Sequence, residues 1–326
     1  MNGKRRKITL LIPAFALFLL IIDTKTSIIG AKEGMELCFG SVIPSLFPFI
    51  LITQVLLLCI ESIQEKPSTS LKGNLYTFLI GLLGGYPVGA QCVSDLQKKG
   101  ALSKKQAMCA IGFCNNPGPA FIFGVVGVLF DKKASPWMIW GIQILSALFV
   151  AFTVNSNCKV HPAVNTLPQK RSENIIKKSI IIMASICAWV ITFRIIISFC
   201  QKWIFHFFPE PLSVMFKGML ELTNGIYSLS ALKTKGMRFV LCSTMLSFGG
   251  ICVAAQTKTI TQNLGIGVYL YEKAVQAVAS FILSYLAQHF LFSSEDIFKL
   301  PVYQLLILIL IFCIASIILR KKAVAL

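Results

Sequence analysis

Charged residues are scarce in this chain, and it has no long polar stretch. Only 13% of its 326 residues are Asp, Glu, Lys or Arg, whereas soluble domains carry about a quarter. Hydrophobic residues make up 56% of the chain, and several apolar runs reach the ~18–20 residues that cross a bilayer. The composition therefore argues against a soluble globular protein and predicts a single integral membrane domain over residues 1–326.

The chain also lacks the motifs that commonly carry catalysis, phosphate binding or metal binding. It contains no Gly-x-Gly-x-x-Gly or Gly-Lys-Ser/Thr loop, and no Gly-x-Ser-x-Gly or His-Glu-x-x-His sequence. The 11 cysteines form no Cys-x-x-Cys pair and the 3 histidines are isolated, which argues against a disulfide framework or a zinc site. We therefore predict no enzymatic activity, no cofactor and no metal, and any transport would be secondary or passive.

The positive charge of the chain, +18 at pH 7, is concentrated in short loops between apolar runs. This pattern is typical of cytoplasmic loops and of contact with anionic lipid, so membrane lipid rather than nucleic acid is the expected partner. Basic clusters at residues 4–7 and 320–322 predict that both termini are cytoplasmic. The apolar run at 8–22 predicts a retained first helix, because no small-residue cleavage site follows it.

The most informative stretch covers residues 81–127, which are apolar enough for a bilayer but rich in residues that break helices. Prolines within it cannot donate a backbone hydrogen bond, and a freed backbone group in lipid costs several kcal/mol unless protein or a water-filled cavity satisfies it. Interrupted hydrophobic segments in both halves of a chain indicate the substrate site of a transporter. The predicted interruptions are Gly84, Gly85, Pro87, Gly89, Pro117, Gly118 and Pro119, and in the second half Gly249 and Gly250.

The order of apolar runs and basic loops predicts an all-α membrane protein built as an inverted repeat. Each half reads as a span, a re-entrant hairpin, a Lys-Gly turn, a broken span and a further span, which gives about eight spanning helices and two re-entrant hairpins. The predicted segments are a first repeat at 41–157 with a hairpin at 75–97 and a broken helix at 106–130, a cytoplasmic linker at 158–178, a second repeat at 179–291 with a hairpin at 211–235 and a broken helix at 237–256, and a final helix at 301–319.

Residues 212–232 could either re-enter or span. A hairpin there puts Lys233 and Lys235 outside, against the positive-inside rule. A full span puts both lysines inside but leaves the C-terminal charges outside. The hairpin is preferred because it also places Glu221 and Asn224 at its tip.

Polar residues at the predicted breaks form the candidate substrate site. Free amides at half-helix N-termini favour anions, and carbonyl groups at half-helix C-termini can hold cations. Breaks that face each other could thus bind a small anionic metabolite together with a coupling ion, Na+ or H+. The predicted substrate-binding residues are Tyr86, Asn115, Asn116, Glu221, Thr223, Asn224 and Gln256.

Several of these residues have a purely structural alternative. In that alternative the two asparagines and Gln256 serve only to form hydrogen bonds with backbone groups that the breaks leave unpaired. Tyr86 could anchor the hairpin instead of stacking on a ring, and Glu221 could be a charge at the membrane interface. The neighbouring Glu272 and Lys273 are expected at a helix end rather than in a proton path.

Several segments resemble one known family. They are PSLFPF at 44–49, GGYPVGA at 84–90, the segment at 96–107, FCNNPGPAFIFGVVG at 113–127, ELTNGI at 221–226 and SFGG with AAQ between 247 and 256. On these segments the chain resembles the YlbJ-like sporulation integral membrane proteins. That family carries the nucleoside-recognition Gate domain and is related to concentrative nucleoside transporters.

The resemblance implies a transporter-like fold with two hairpins and a role in spore formation, in the cell membrane or the outer forespore membrane. The best-defined activity of the family, import of dipicolinate into the forespore, makes this aromatic dianion the best substrate guess. We therefore expect a secondary transporter of a small anionic or nucleoside-like metabolite, with homo-oligomerisation left open. The alternative is a non-transporting membrane scaffold of a spore-assembly complex, although a scaffold needs no broken helices at mid-membrane.

Overall fold

A computed structural model shows a helical protein. It describes residues 3–63, 71–98, 100, 102–155, 174–262 and 264–301, with single positions between 303 and 318. No strand occurs within these residues, and the predicted all-α class is confirmed. Most of the predicted linker at 158–178 and most of the predicted final helix at 301–319 lie outside the described residues.

The helices are joined by short connections wherever both ends are described. In chain order they are α1 (Gly3–Ile22), α2 (Thr24–Leu37), α3 (Ile43–Ile63), α4 (Leu71–Gly84), α5 (Val88–Lys98), α6 (Lys104–Cys114), α7 (Pro119–Phe121), α8 (Ala134–Asn155), α9 (Ile175–Trp203), α10 (Glu210–Leu220), α11 (Leu222–Ser228), α12 (Lys235–Phe248), α13 (Gly250–Thr261) and α14 (Ile266–Leu291). Two π-helical segments extend them: Cys38–Val42 joins α2 to α3, and Ile122–Val126 follows α7.

Six helical runs among the described residues are long and apolar enough to cross a membrane. They are Thr24–Leu56, Lys104–Leu129, Ala134–Thr153, Ile175–Trp203, Lys235–Thr261 and Ile266–Leu291. The second run covers the predicted broken helix at 106–130 except for its last residue, and the fifth contains the predicted broken helix at 237–256. The total of about eight spans and the inverted relation between the two halves stay predictions.

Helices α8, α12 and α14 pack on one another at the centre of the fold. The buried side chain of Gln143 on α8 donates to the backbone carbonyl oxygen of Ser243 on α12 at 3.0 Å. Its amide oxygen accepts from the hydroxyl of Ser247 at 2.7 Å, and the hydroxyls of Ser243 and Ser280 lie 2.9 Å apart. Such interhelical hydrogen bonds contribute about 0.6 kcal/mol each in a membrane bundle, so this cluster holds the three helices together.

Helix α2 packs lengthwise against α9. A Cβ atom at Gly34 would lie 2.9 Å from the Cα atom of Ile191, which shows how closely the two backbones approach. Small residues allow such close packing between membrane helices. An ion pair between Arg194 and Glu33, with a nitrogen–oxygen distance of 2.5 Å, lies at the same contact.

Helices α4 and α5 form a helical hairpin with its turn at Gly85. The φ of this glycine is +74°, a left-handed conformation that glycine adopts without strain. A Cβ atom at Gly81 or at Gly89 would lie 1.9 or 2.1 Å from the carbonyl oxygen of Cys114. The backbones of both hairpin arms therefore contact the end of α6. The turn lies within the segment predicted as a hairpin at 75–97, and its re-entry on one side of a membrane stays a prediction.

Helices α10 and α11 form a second hairpin, with Glu221 between them. A Cβ atom at Gly225 would lie 2.2 Å from the Cα atom of Gly218, so the two arms are also in close contact. Helix α10 has 11 residues and α11 has 7, and neither approaches the ~20 residues that a spanning helix needs. This favours a hairpin over a full span at 212–232, while its re-entry on one side of a membrane stays a prediction.

Candidate functional site

The first helix break runs from Asn115 to Gly118. Helix α6 ends at Cys114, the backbone of Asn115 is extended, and Gly118 precedes the short helix α7. Pro117 in the break has no N–H to donate, and Pro119 takes the first position of α7, where the missing N–H costs nothing. The sequence therefore ends one helix and starts the next within four residues, and this leaves backbone carbonyl groups of α6 free.

The side chain of Asn115 joins three elements at this break. Its amide oxygen accepts from the backbone N–H of Ala90 on α5 at 3.2 Å. Its amide nitrogen donates to the hydroxyl of Thr257 on α13 at 3.0 Å and to the hydroxyl of Tyr269 on α14 at 3.2 Å. Because Asn115 is fully buried and has both ends engaged, it fixes the first hairpin against the second broken helix.

The side chain of Asn116 points to α14 instead. Its amide nitrogen donates to the carbonyl oxygen of Phe113 at 2.5 Å, which satisfies one of the carbonyl groups freed at the end of α6. Its amide oxygen accepts from Lys273 at 3.2 Å and from Gln276 at 2.8 Å. Asn116 therefore connects the broken backbone to the charged group in the site.

The ammonium group of Lys273 lies fully buried beside the break. It donates to the backbone carbonyl oxygen of Asn115 at 3.0 Å, to the side-chain oxygen of Asn116 at 3.2 Å and to that of Gln276 at 2.6 Å. These three contacts match the three donors of a lysine ammonium. The ring of Tyr86 covers a further side, with its centroid 5.2 Å from the nitrogen. An ionisable residue placed in this way inside a membrane protein indicates a functional site.

Glu272 lies next to Lys273 and is also fully buried. Its carboxyl group packs against α6, where a Cβ atom at Gly112 would lie 1.8 Å from one of its oxygens. The expectation of a helix end for this pair is wrong, because both residues lie about two turns inside α14 and face the core. Two groups of opposite charge thus share the buried centre of the protein.

Glu221 caps the N-terminus of α11 at the turn of the second hairpin. Its carboxylate accepts from the backbone N–H of Thr223 at 3.0 Å and from that of Asn224 at 2.7 Å. The side-chain amide of Asn224 donates to the same carboxylate at 2.6 Å. Glu221 is buried within the protein. The backbone amides of Thr223 and Asn224 at the start of α11 are therefore bonded to a carboxylate of the protein.

The second helix break is formed by two glycines between α12 and α13. Gly249 and Gly250 both have left-handed backbones, with φ of +80° and +81°. A Cβ atom at Gly250 would lie 3.0 Å from the carbonyl oxygen of Gly218, so the second hairpin touches the second break as the first hairpin touches the first. The hydroxyl of Tyr86 donates to the carbonyl oxygen of Leu246 at 3.0 Å, and this bond joins the first hairpin to the second break.

A small cavity lies where the two hairpin turns and the two breaks meet. Its volume is about 40 Å³, which is room for a few water molecules, whereas an engineered cavity of about 150 Å³ holds benzene. The cavity is therefore too small for an aromatic ring in this conformation. The predicted residues that line the cavity are Tyr86, Pro117, Gly118, Glu221, Thr223 and Gln256.

The other predicted substrate residues are buried behind the cavity wall. Asn115 and Asn116 hold the first break, and Asn224 holds Glu221. Gln256 lines the cavity while its side chain donates to the sulfur of Cys252 at 3.4 Å. The predicted break residues all lie in or beside the two hairpins and the two breaks, namely Gly84, Gly85, Pro87, Gly89, Pro117, Gly118, Pro119, Gly249 and Gly250.

The polar face of α14 was not predicted as part of the site. It carries the ammonium group of Lys273 and the hydroxyl group of Tyr269 that accepts from Asn115. The signal was present in the sequence as polar residues three or four apart on an otherwise apolar helix, which is one helical face. The residues of this face, all buried, are Tyr269, Lys273, Gln276, Ser280, Ser284 and Gln288.

The class defined by these observations is an all-α, multi-pass membrane protein with two broken helices and a buried, charged centre. The chain is similar to the sporulation integral membrane protein YlbJ of Bacillus subtilis (strain 168), with 27% identity over 191 residues. The match covers 55% of this chain and 44% of YlbJ, so the chain spans less than half the length of the curated relative it matches. No protein-family model and no solved structure matches the chain.

Proposed function

We propose that this protein is a YlbJ-like secondary transporter of a small polar metabolite that acts in spore formation. The similarity to a sporulation integral membrane protein supports the biological setting. The sequence resemblance supports a place in the cell membrane or the outer forespore membrane. No part of the proposal requires an enzymatic step.

The observation that carries the proposal is the meeting of two hairpin turns and two helix breaks at one buried cavity. Each break removes backbone hydrogen bonds in the middle of a helix long enough to span a membrane, and each such loss is costly in lipid. The centre also buries Glu221, Glu272 and Lys273. A scaffold would gain nothing from these costs, whereas a transporter uses broken helices and intramembrane charges to bind and release its substrate.

Substrate binding requires the cavity to enlarge. Its volume of about 40 Å³ is smaller than any aromatic ring or sugar needs. The hairpin turn at Gly85 and the break at Gly249 and Gly250 have glycine conformations that suit hinge positions. The transport cycle then consists of movement of the hairpins against the broken helices, which exposes the cavity to one side and then to the other.

The resemblance makes dipicolinate the first substrate to test, and the charge of the cavity makes nucleosides the second. Glu221 is the charged residue among the described residues that line the cavity. A carboxylate accepts hydrogen bonds from hydroxyl and amino groups and repels a dianion. A nucleoside therefore fits the cavity wall better, whereas dipicolinate would rely on the positive charge of Lys273 behind Tyr86.

The proposal is tested by uptake into vesicles that contain the purified protein. Labelled dipicolinate, uridine and a simple dicarboxylate are compared in protein-containing and protein-free vesicles, with Na+ or with a proton gradient. We expect saturable uptake of one of these solutes, and thermal stabilisation by the same solute. A ligand at 100 times its dissociation constant adds ~2.7 kcal/mol to the free energy of unfolding.

Uptake of dipicolinate alone supports the substrate that the resemblance implies, and uptake of uridine alone supports the nucleoside reading. If none of these solutes is taken up and none stabilises the protein, that result would argue for the non-transporting scaffold. In that case the purified protein is expected to retain partner proteins of the spore-forming cell instead.

A further inference from the structure

The environment of the Lys273 nitrogen has the composition of a site for a monovalent metal cation. Three oxygens surround it at 2.6–3.2 Å, namely a backbone carbonyl at the first break and two side-chain amide oxygens. Neutral carbonyl oxygens at the C-terminal end of a half-helix are the groups that hold Na+ in transporters with broken helices. The negative end of the α6 dipole adds to the attraction for a positive charge.

No dissolved ion can occupy this position while the lysine is there. The side chain of Lys273 is fully buried, and its three donors are engaged by the oxygens that would otherwise bind the metal. The ring of Tyr86 closes a further side at 5.2 Å. The ammonium group is therefore held by the same three oxygens that a bound cation would need.

We infer that the ammonium group of Lys273 takes the place of a coupling cation, so that the site is completed by the protein's own charge and needs no dissolved Na+. The inference rests on the proposed transport function, because it concerns the ion requirement of that same site. It also narrows the choice of coupling ion, since it excludes Na+ from the position at the first break.

Removal of the lysine should convert this position into a metal-ion site. In a Lys273→Ala variant the three oxygens remain in place, and the adjacent buried carboxyl group of Glu272 favours a positive charge nearby. A Lys273→Met variant keeps most of the side-chain volume and fills the position with an apolar group. The two variants both remove the charge but differ in whether an ion fits, so each is the control of the other.

The experiment measures the melting temperature of the detergent-purified protein in chloride salts of Na+, K+, Li+ and choline at equal ionic strength. We expect the unsubstituted protein to melt at the same temperature in all four salts. We expect the Lys273→Ala variant to be stabilised by one alkali ion over choline, with a rise in melting temperature that saturates as the concentration of that ion increases. The Lys273→Met variant should show no selective stabilisation.

Selective stabilisation of the unsubstituted protein by Na+ would overturn the inference, and so would a folded Lys273→Ala variant without any alkali-ion response. If the single variant does not fold because Glu272 loses its neighbouring charge, a variant with both Lys273→Ala and Glu272→Gln replaces it. If that variant fails as well, the response of the unsubstituted protein to Na+ decides alone. These measurements do not depend on transport. Absence of uptake therefore counts against the proposed function, and not against the inference that the Lys273 ammonium group replaces a dissolved cation.

Discussion

The hydroxyl group of Tyr86 donates to the backbone carbonyl oxygen of Leu246 at 3.0 Å, although 160 residues separate them in the chain. Leu246 lies in the last turn of α12, where carbonyl groups have no partner within the helix. The same tyrosine covers Lys273 at the first break. Tyr86 therefore contacts both breaks, and it couples the first hairpin to the second half of the protein.

The Tyr86→Phe variant is expected to weaken this coupling while it keeps the aromatic ring in the site. Loss of the hydroxyl leaves the buried carbonyl oxygen of Leu246 without this donor, which costs about 1–3 kcal/mol in the free energy of unfolding. The ring that faces Lys273 is retained. The melting temperature in detergent should therefore fall, and uptake into vesicles should be slower but still measurable.

Tyr303→Phe is the matched control for this change. Tyr303 is exposed, and its hydroxyl accepts from the neighbouring Gln304, so loss of that hydroxyl should leave the melting temperature unchanged. Equal melting temperatures for the Tyr86→Phe variant and the unsubstituted protein would show that the bond to Leu246 does not hold the two halves together.

Alanine substitution of Asn115 or Asn116 is expected to abolish uptake while the protein still inserts into the membrane. Asn116→Ala removes one oxygen from Lys273 and leaves the carbonyl oxygen of Phe113 without its donor. Asn115→Ala separates the first hairpin from Thr257 and Tyr269. Insertion is measured by membrane fractionation, and transport by uptake of the accepted solute.

The Asn116→Asp variant tests the oxygen that contacts Lys273 apart from the amide nitrogen that donates to Phe113, because a carboxylate has no donor for that carbonyl. It keeps an oxygen for Lys273 and adds a negative charge, so it should insert normally and retain more uptake than Asn116→Ala. Full uptake in either alanine variant would contradict a role of the asparagines in the site.

The breaks were predictable because clustered proline and glycine residues disfavour a continuous helix in an apolar run. Pro117 and Pro119 cannot continue α6, and Gly249 and Gly250 adopt left-handed backbones that other residues disfavour. The turn of the first hairpin followed from the same kind of signal. Local backbone chemistry thus determined where the helices stop, without any knowledge of the tertiary contacts.

The partners across these breaks were not predictable in the same way. Lys273 bonds to Asn116 over a separation of 157 residues, and nothing local in either segment identifies the other. The neighbouring Glu272 and Lys273 suggested an exposed helix end, because charged residues are costly inside a membrane. The polar residues spaced along one face of α14 argue against a helix end for Glu272 and Lys273. Such spacing identifies a helical face, but it does not identify the segment that packs against that face.

Gly89→Ala is expected to separate the first hairpin from the first break. The added methyl group would lie 2.1 Å from the carbonyl oxygen of Cys114 and 2.9 Å from the Cα atom of Asn115. Because these are backbone atoms, the hairpin itself must move. We expect a clear loss of thermal stability and of uptake, since overpacking costs about 1–3 kcal/mol.

Gly141→Ala on α8 is the matched control, because a Cβ atom there meets no atom within 4 Å. That change should be neutral or stabilising, since alanine favours helix over glycine by about 1 kcal/mol. Similar behaviour of the two variants would contradict the close backbone contact at the first break.

Glu221 allows its capping role to be separated from a role in substrate recognition. Glu221→Ala removes the acceptor of two backbone N–H groups at the start of α11, and loss of such a cap costs about 0.5–2 kcal/mol. Glu221→Asp keeps a carboxylate that is well suited to capping but withdraws it from the cavity by one methylene group. Glu36→Gln, at an exposed position on α2, is the control for loss of a carboxylate elsewhere.

If Glu221 binds substrate as well as capping α11, the Glu221→Asp variant should melt like the unsubstituted protein but require a higher solute concentration for half-maximal uptake. If Glu221 only caps α11, both the melting temperature and the uptake of the Glu221→Asp variant should return from the values of Glu221→Ala to those of the unsubstituted protein.

A change in solute preference is a separate test of Glu221. A carboxylate at the cavity wall disfavours dianions, so Glu221→Gln should improve uptake of dipicolinate relative to uridine, and a change in the opposite direction would mean that the dianion does not approach this side of the cavity.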